Sequence, residues 1–189
     1  MQNSNINVYE ELLKQSLLIP ELVNKSTKRD NIFIDELNQW LLNTESKMKK
    51  NNISKCSEIA GLRSKIVSAN YSISDSKVSR RKQKISIATS IIYDAQRTLL
   101  DVLEPIEKRL EEAKENIRQL LGVAYQADMI DPNMEFNLII QTLWKTFATH
   151  DQLKAIIAKI LVLVNKSDAL RLLAQEIDIS IVKEMGTSK

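Results

Sequence analysis

The stretch "DVLEPIEKRLEEAKENIRQLL", residues 101–121, decides the fold. Apolar residues return every three or four positions and charges fill the gaps, which is the period of an amphipathic helix. Leu103, Ile106, Leu110, Ala113, Ile117, Leu120 and Ala124 advance by alternating steps of three and four, a heptad seam. Upstream, Ile85, Ala88, Ile92, Ala95 and Leu99 form a second seam of the same kind. Between Leu99 and Leu103 a step of four follows another four, a stutter that locally unwinds a supercoil. Pro105 lies in the next turn, where its missing amide hydrogen frees the carbonyl of Asp101 and its ring crowds the backbone. Glu104 is a poor N-cap and no glycine intervenes. The expectation is therefore one coiled-coil-like helix over residues 76–127, kinked between 99 and 106. "KISIATSII" (84–92) alternates like a strand for a few residues, but no second strand pattern exists to pair with it.

Working outward, shorter helices are expected on both sides. Residues 5–19 carry Val8, Leu12, Leu13 and Leu17 on one face, and Pro20 is expected to kink or end that helix. Residues 31–50 repeat Phe33, Leu37, Trp40, Leu41, Thr44 and Met48, with Asp30 or Asn31 as cap and an asparagine stop at 51–52. Residues 54–69 present Ile59, Leu62, Ile66 and Ala69. Gly61 inside this segment costs about 1 kcal/mol relative to alanine and is read as a close helix contact. "NYSISDSK" (70–77) is turn-like, with Ser72 or Ser74 as a cap. Downstream, "ADMIDPNME" (127–135) is the clearest break, with Asp131 as N-cap and Pro132 at the first helical position. The helix at 132–148 turns Phe136, Ile139, Ile140, Leu143 and Phe147 inward, with Leu138 and Trp144 off the stripe and a second buried side expected. Thr149 and Gln152 fit a capping box for a helix at 150–164, whose face is Leu153, Ile156, Ile157, Ile160, Leu161 and Val164. Asn165 or Ser167 caps the last helix, 167–178, with Leu170, Leu173, Ala174 and Ile177.

Composition agrees with an all-α class. Three glycines and three prolines in 189 residues are few against the roughly thirteen and nine of average usage, so tight turns are scarce. The chain is 43% hydrophobic but only 5% aromatic, so its core is aliphatic. The architecture expected is a helical bundle built around the long kinked helix with shorter helices packed on it. Residues 1–70 would be N-terminal helices packed on that helix and not independent. Residues 71–189 would be the long helix plus a C-terminal three-helix segment, the whole forming one domain.

One cysteine, Cys56, permits no intrachain disulfide, which suits a reducing, cytoplasmic setting. The first residues lack the basic start and apolar stretch of a signal peptide. "AIIAKILVLV" (155–164) is half the length of a membrane span and contains Lys159, so it reads as a buried core helix.

Charge is uneven. Residues 1–84 hold 15 lysines and arginines against 9 carboxylates, and residues 85–189 hold 12 against 15. Lys77, Arg80, Arg81, Lys82 and Lys84 are five cations in eight residues, the strongest surface signal for a protein partner or an anionic surface. Phosphate-backbone binding is one use of such a cluster, but no aromatic residues interleave to stack on bases. Attachment to an anionic membrane is another.

Motifs for chemistry are missing. His150 is the sole histidine, and although Asp151 adjoins it, neighbours on a helix do not face each other. One cysteine and one histidine give no basis for a metal site. The glutamates at 104, 107, 111, 112 and 115 lack the Glu-x-x-His of carboxylate-bridged metal bundles. The expectation is a non-enzyme without cofactor, metal or small-molecule substrate. It acts by protein–protein interaction or self-association, as an assembly subunit or adaptor. Ile92, Leu99, Leu103, Ile106, Leu110 and Ile117 are the candidate assembly seam. The alternatives are a nucleic-acid-binding helical protein using 77–84, and a membrane-active bundle that opens to insert 155–164.

Overall fold

The computed structural model describes residues 3–30, 32–69, 77–131 and 133–177, with only the backbone described at residues 69 and 77–81. The expected caps Asn31, Ser72 and Ser74, the expected first helical residue Pro132, and the chain after Ile177 lie outside the described residues. The described elements are all helices: α1 (Asn5–Ser16), α2 (Ile19–Lys28), α3 (Phe33–Lys50), α4 (Cys56–Ala69), α5 (Lys77–Gln126), α6 (Phe136–Thr149), α7 (Lys154–Leu163) and α8 (Lys166–Glu176). The protein is an all-α bundle in which a long helix packs against shorter ones. Among the described residues no helix is long and apolar enough to cross a membrane.

α5 is the helix read from 101–121, and it continues through Pro105. Contacts divide the chain into two compact units, and the boundary falls inside α5, between Pro105 and Ile106. One unit is Asn7–Pro105; the other joins Ile106–Lys189 to Met1–Ile6.

In the Asn7–Pro105 unit, Val8, Leu12, Leu37, Trp40, Leu41, Met48, Ile59, Leu62 and Ile66 are buried together with Ala88, Ile91, Ile92, Ala95 and Leu99 of α5. Polar ties cross the same unit. The Trp40 indole donates to the Gln15 carbonyl at 3.1 Å, the Ser26 and Thr89 hydroxyls share a hydrogen bond, and Arg63 pairs with Glu45 at 3.0 Å. In the other unit, α6, α7 and α8 pack on one another. Ile139, Leu143, Phe147, Ile157, Ile160, Leu172 and Leu173 are buried there with Leu110, Ala113, Ile117, Leu120 and Ala124 of α5. Arg118 on α5 reaches Glu176 on α8 at 2.7 Å.

Several boundaries differ from the sequence reading, each for a local reason. Pro20 opens α2 at its first turn, because a proline at that position has no amide to lose. The 5–19 helix therefore stops at Ser16, and Leu17 lies in the turn at 68% exposure, not on the core face. Asp30 accepts from the Ile32 amide at 3.1 Å but does not cap α3, whose N-cap is Ile32. Asp131, the predicted N-cap, instead accepts from the Asn133 amide at 2.9 Å, and α6 begins at Phe136 with Glu135 as its N-cap. Thr149 donates its hydroxyl back to Lys145 and Thr146 in α6, so it cannot cap α7. Trp144 is buried as a second side predicts, whereas Leu138 and Leu161 are exposed. Asn165 caps α8, accepting from the Asp168 amide at 2.8 Å. Asn51 and Asn52 close α3 as read: Asn52 takes a left-handed conformation (φ 57°) and the Ile53 amide reaches the Met48 carbonyl at 2.9 Å. A Cβ on Gly61 would meet nothing within 4 Å, so this glycine is not a close helix contact.

Candidate functional site

The basic cluster lies in the first turns of α5. Lys82 is exposed and Lys84 half-buried, while the side chains of Lys77, Arg80 and Arg81 fall outside the described residues. The seam is covered within the chain. Ile92 and Leu99 are 0% exposed, Leu103, Leu110 and Ile117 are buried, and Ile106 is half-buried.

His150 and Asp151 do not form a pair. The Gln152 amide donates to the His150 Nδ1 at 3.4 Å, and Asp151 holds Lys154 at 2.6 Å. Cys56 is half-buried at the start of α4. Among the described residues no group of three or more His, Cys, Asp or Glu is placed to hold a metal ion.

Two clefts and one buried carboxylate stand out instead. The larger cleft, about 480 Å³, runs between α4 and α5 and is lined by Glu58, Gly61, Lys65, Asp94, Arg97 and Asp101 among others. Gly61 contributes to its width by having no side chain. Lys55 lies beside it, bridging Asp101 at 3.0 Å and Glu58 at 3.2 Å. Asp101, then Glu58, hold the proton on the Lys55 ammonium more firmly than an isolated lysine would. Thr98 donates to Glu58 at 3.3 Å and to the Asp94 carbonyl at 3.1 Å. The charges of both signs that line it lie at solvent-exposed positions.

The second cleft, about 230 Å³, lies between α2 and α3, with Leu18, Leu22 and Trp40 as its apolar floor. Lys25 sits on its wall, paired with Glu21 and Glu36 at 2.8 Å each. Glu21 first, then Glu36, raise the Lys25 ammonium well above the usual lysine range. Leu18, which lines it, is 44% exposed, and Leu17, the residue before it in the same turn, is 68% exposed. The sequence signal for this feature is the apolar doublet before Pro20, obscured when the proline is read as the end of a helix.

Asp168, on the first turn of α8, is 2% exposed. Its carboxylate accepts from the Ser4 hydroxyl and, at 2.6 Å, from the Asn5 amide that begins α1. Asn5 Nδ2 donates to the Leu163 carbonyl at 3.1 Å nearby. One anion thus stands at the positive ends of two helices. With its oxygens accepting from protein donors, it holds chain segments together. No sequence pattern announces it, because its partners lie 163 and 164 residues away.

No family model matches this chain, and neither a curated protein nor a solved structure matches it.

Proposed function

We propose that this chain is a non-catalytic helical protein that works by protein–protein contact, as an assembly subunit or adaptor in the cytoplasm. The observation that carries the reading is the exposed Leu17–Leu18 turn beside the cleft floored by Leu22 and Trp40. A pocket of about 230 Å³ is of a size to receive one apolar anchor side chain, and a few such anchors dominate the affinity of most interfaces. Lys25, Glu21 and Glu36 at the rim supply polar groups for register. The seam residues, apart from half-buried Ile106, are buried within the chain, which favours this turn as the docking surface. The single cysteine supports a reducing compartment.

Light scattering on a sizing column, with absorbance read at two wavelengths to detect nucleic acid, tests the reading. An oligomer, or a complex with a co-purifying protein, that dissociates in Leu18→Asp supports it. A monomer without a partner, unchanged by Leu18→Asp, counts against it. A species carrying nucleic acid promotes the second reading, which rests on 11 basic residues against Glu58 and Asp75 in 47–84.

A further inference from the structure

α7 turns Ile157 and Ile160 inward, with Leu153 and Val164 at its two ends. A surface helix normally carries polar residues on the opposite face. On α7 that outer side is Ala155, Ala158 and Val162 with Lys159, and Leu161 flanks it. Val162 is 85% exposed, the highest value among the exposed large hydrophobic residues. A side chain so exposed has no walls around it: the feature is a ridge, not a groove.

The stretch of chain that carries the ridge is rich in cations. Residues 152–171 contain Lys154, Lys159, Lys166 and Arg171, and their only carboxylate is Asp168. Asp168 is buried and hydrogen-bonded to Ser4 and Asn5, so it presents no exposed carboxylate beside the ridge. Asp151, just before the stretch, holds Lys154. This cationic rim lies in a half of the chain whose carboxylates outnumber its cations, 15 to 12.

From this juxtaposition we propose that the α7 ridge docks reversibly on an anionic lipid surface. Val162 and Leu161 enter the boundary between headgroups and acyl chains, and Lys159 and Lys166 lay their stems along it with their ammonium groups among acidic headgroups. A protein partner's helix is typically received in a groove, whereas a bare apolar ridge with a cationic rim matches a soft, negatively charged layer. At about 15 Å for ten residues, α7 reaches roughly half the thickness of a hydrocarbon core, so the contact is peripheral. It requires no opening of the bundle. It stands independently of the Leu17–Leu18 docking surface.

The test is co-flotation of the full chain with phosphatidylcholine vesicles, with and without about 30 mol % phosphatidylserine. The expected result is flotation only with the anionic vesicles, decreasing as salt rises. Lys159→Glu with Lys166→Glu should lower the bound fraction by about tenfold or more. Val162→Asp should lower it comparably, with an unchanged helical circular dichroism spectrum. Lys49→Glu, an exposed charge reversal on α3, serves as the control and should have a much smaller effect. Absence of flotation at low salt overturns the proposal. So does binding that survives Val162→Asp, which would place the contact on another basic surface. An oligomer that dissociates in Val162→Asp, without flotation, assigns the ridge to a protein contact and also overturns it.

Discussion

At the scale of single residues, Asp168 carries the most structure per atom. Replacing it with alanine leaves the Asn5 amide and the Ser4 hydroxyl without their acceptor in a part-buried setting. A lost acceptor of this kind costs about 1–3 kcal/mol. The expected outcome for Asp168→Ala is a melting temperature lower by several degrees, since about 1 kcal/mol moves a chain of this size by roughly 2–4 °C. Asp168→Asn keeps an acceptor oxygen but removes the charge, and should fall between the two. A melting temperature equal to that of the parent in both variants would refute the role. The sequence offers Asn165 beside Ser167 as caps because a cap acts over three residues, and the structure selects Asn165. Asp168 was invisible in the sequence because hydrogen bonding across 163 residues leaves no local pattern.

Among elements, α5 was the most legible and the short connections the least. Two heptad seams over dozens of residues outweigh a single proline, so the helix runs from Lys77 to Gln126 and buries the seam positions except Ile85 and Ile106, which are half-buried. The connections at 17–20, 131–135 and 149–153 were misread for one shared reason. Proline, aspartate and threonine each serve a helix end, a helix start or a turn, and the neighbouring packing decides which. Thr149 bonds backward into α6, and Asp131 accepts from the Asn133 amide. The glycine in α4 was misread in the other direction. Its Cβ position is open, so Gly61→Ala should stabilise the protein by roughly 0.5–1 kcal/mol through helix propensity. A denaturant midpoint raised without a change in slope would show it, and a lowered midpoint would mean that the cleft wall needs the glycine.

For the whole molecule, class and charge asymmetry were readable, whereas the exposed apolar turn and ridge were not, because exposure depends on what the rest of the chain covers. The ion pairs allow a statement about pH. Lys50, by hydrogen bonding to Glu11, lowers that carboxyl below its ordinary 4.5, with Asn51 assisting. A lowered carboxyl gives its full stabilisation above about pH 4.5 and loses it as pH falls through the folded value. Lys55, raised by Asp101 and Glu58, gives its full contribution below 10.5 and loses it as pH rises through its higher folded value. Stability should therefore be flat between these limits as far as these two groups determine it. The amplitudes are small, because exposed ion pairs contribute about 0–1 kcal/mol. Melting temperatures measured against pH should show a shallower acid limb in Glu11→Gln, and an identical limb would exclude this pair as a contributor.

The clasp between Asp168 and the start of α1 also has a consequence in time. A ribosome adds about 5–20 residues per second, so some ten to thirty seconds separate the making of Asn5 from the making of Asp168. Throughout that interval the first turn of α1 exists without the anion that finishes it. The segment synthesised early is thus completed late, and the unit that receives Met1–Ile6 closes only after the polymerisation of α8 has begun.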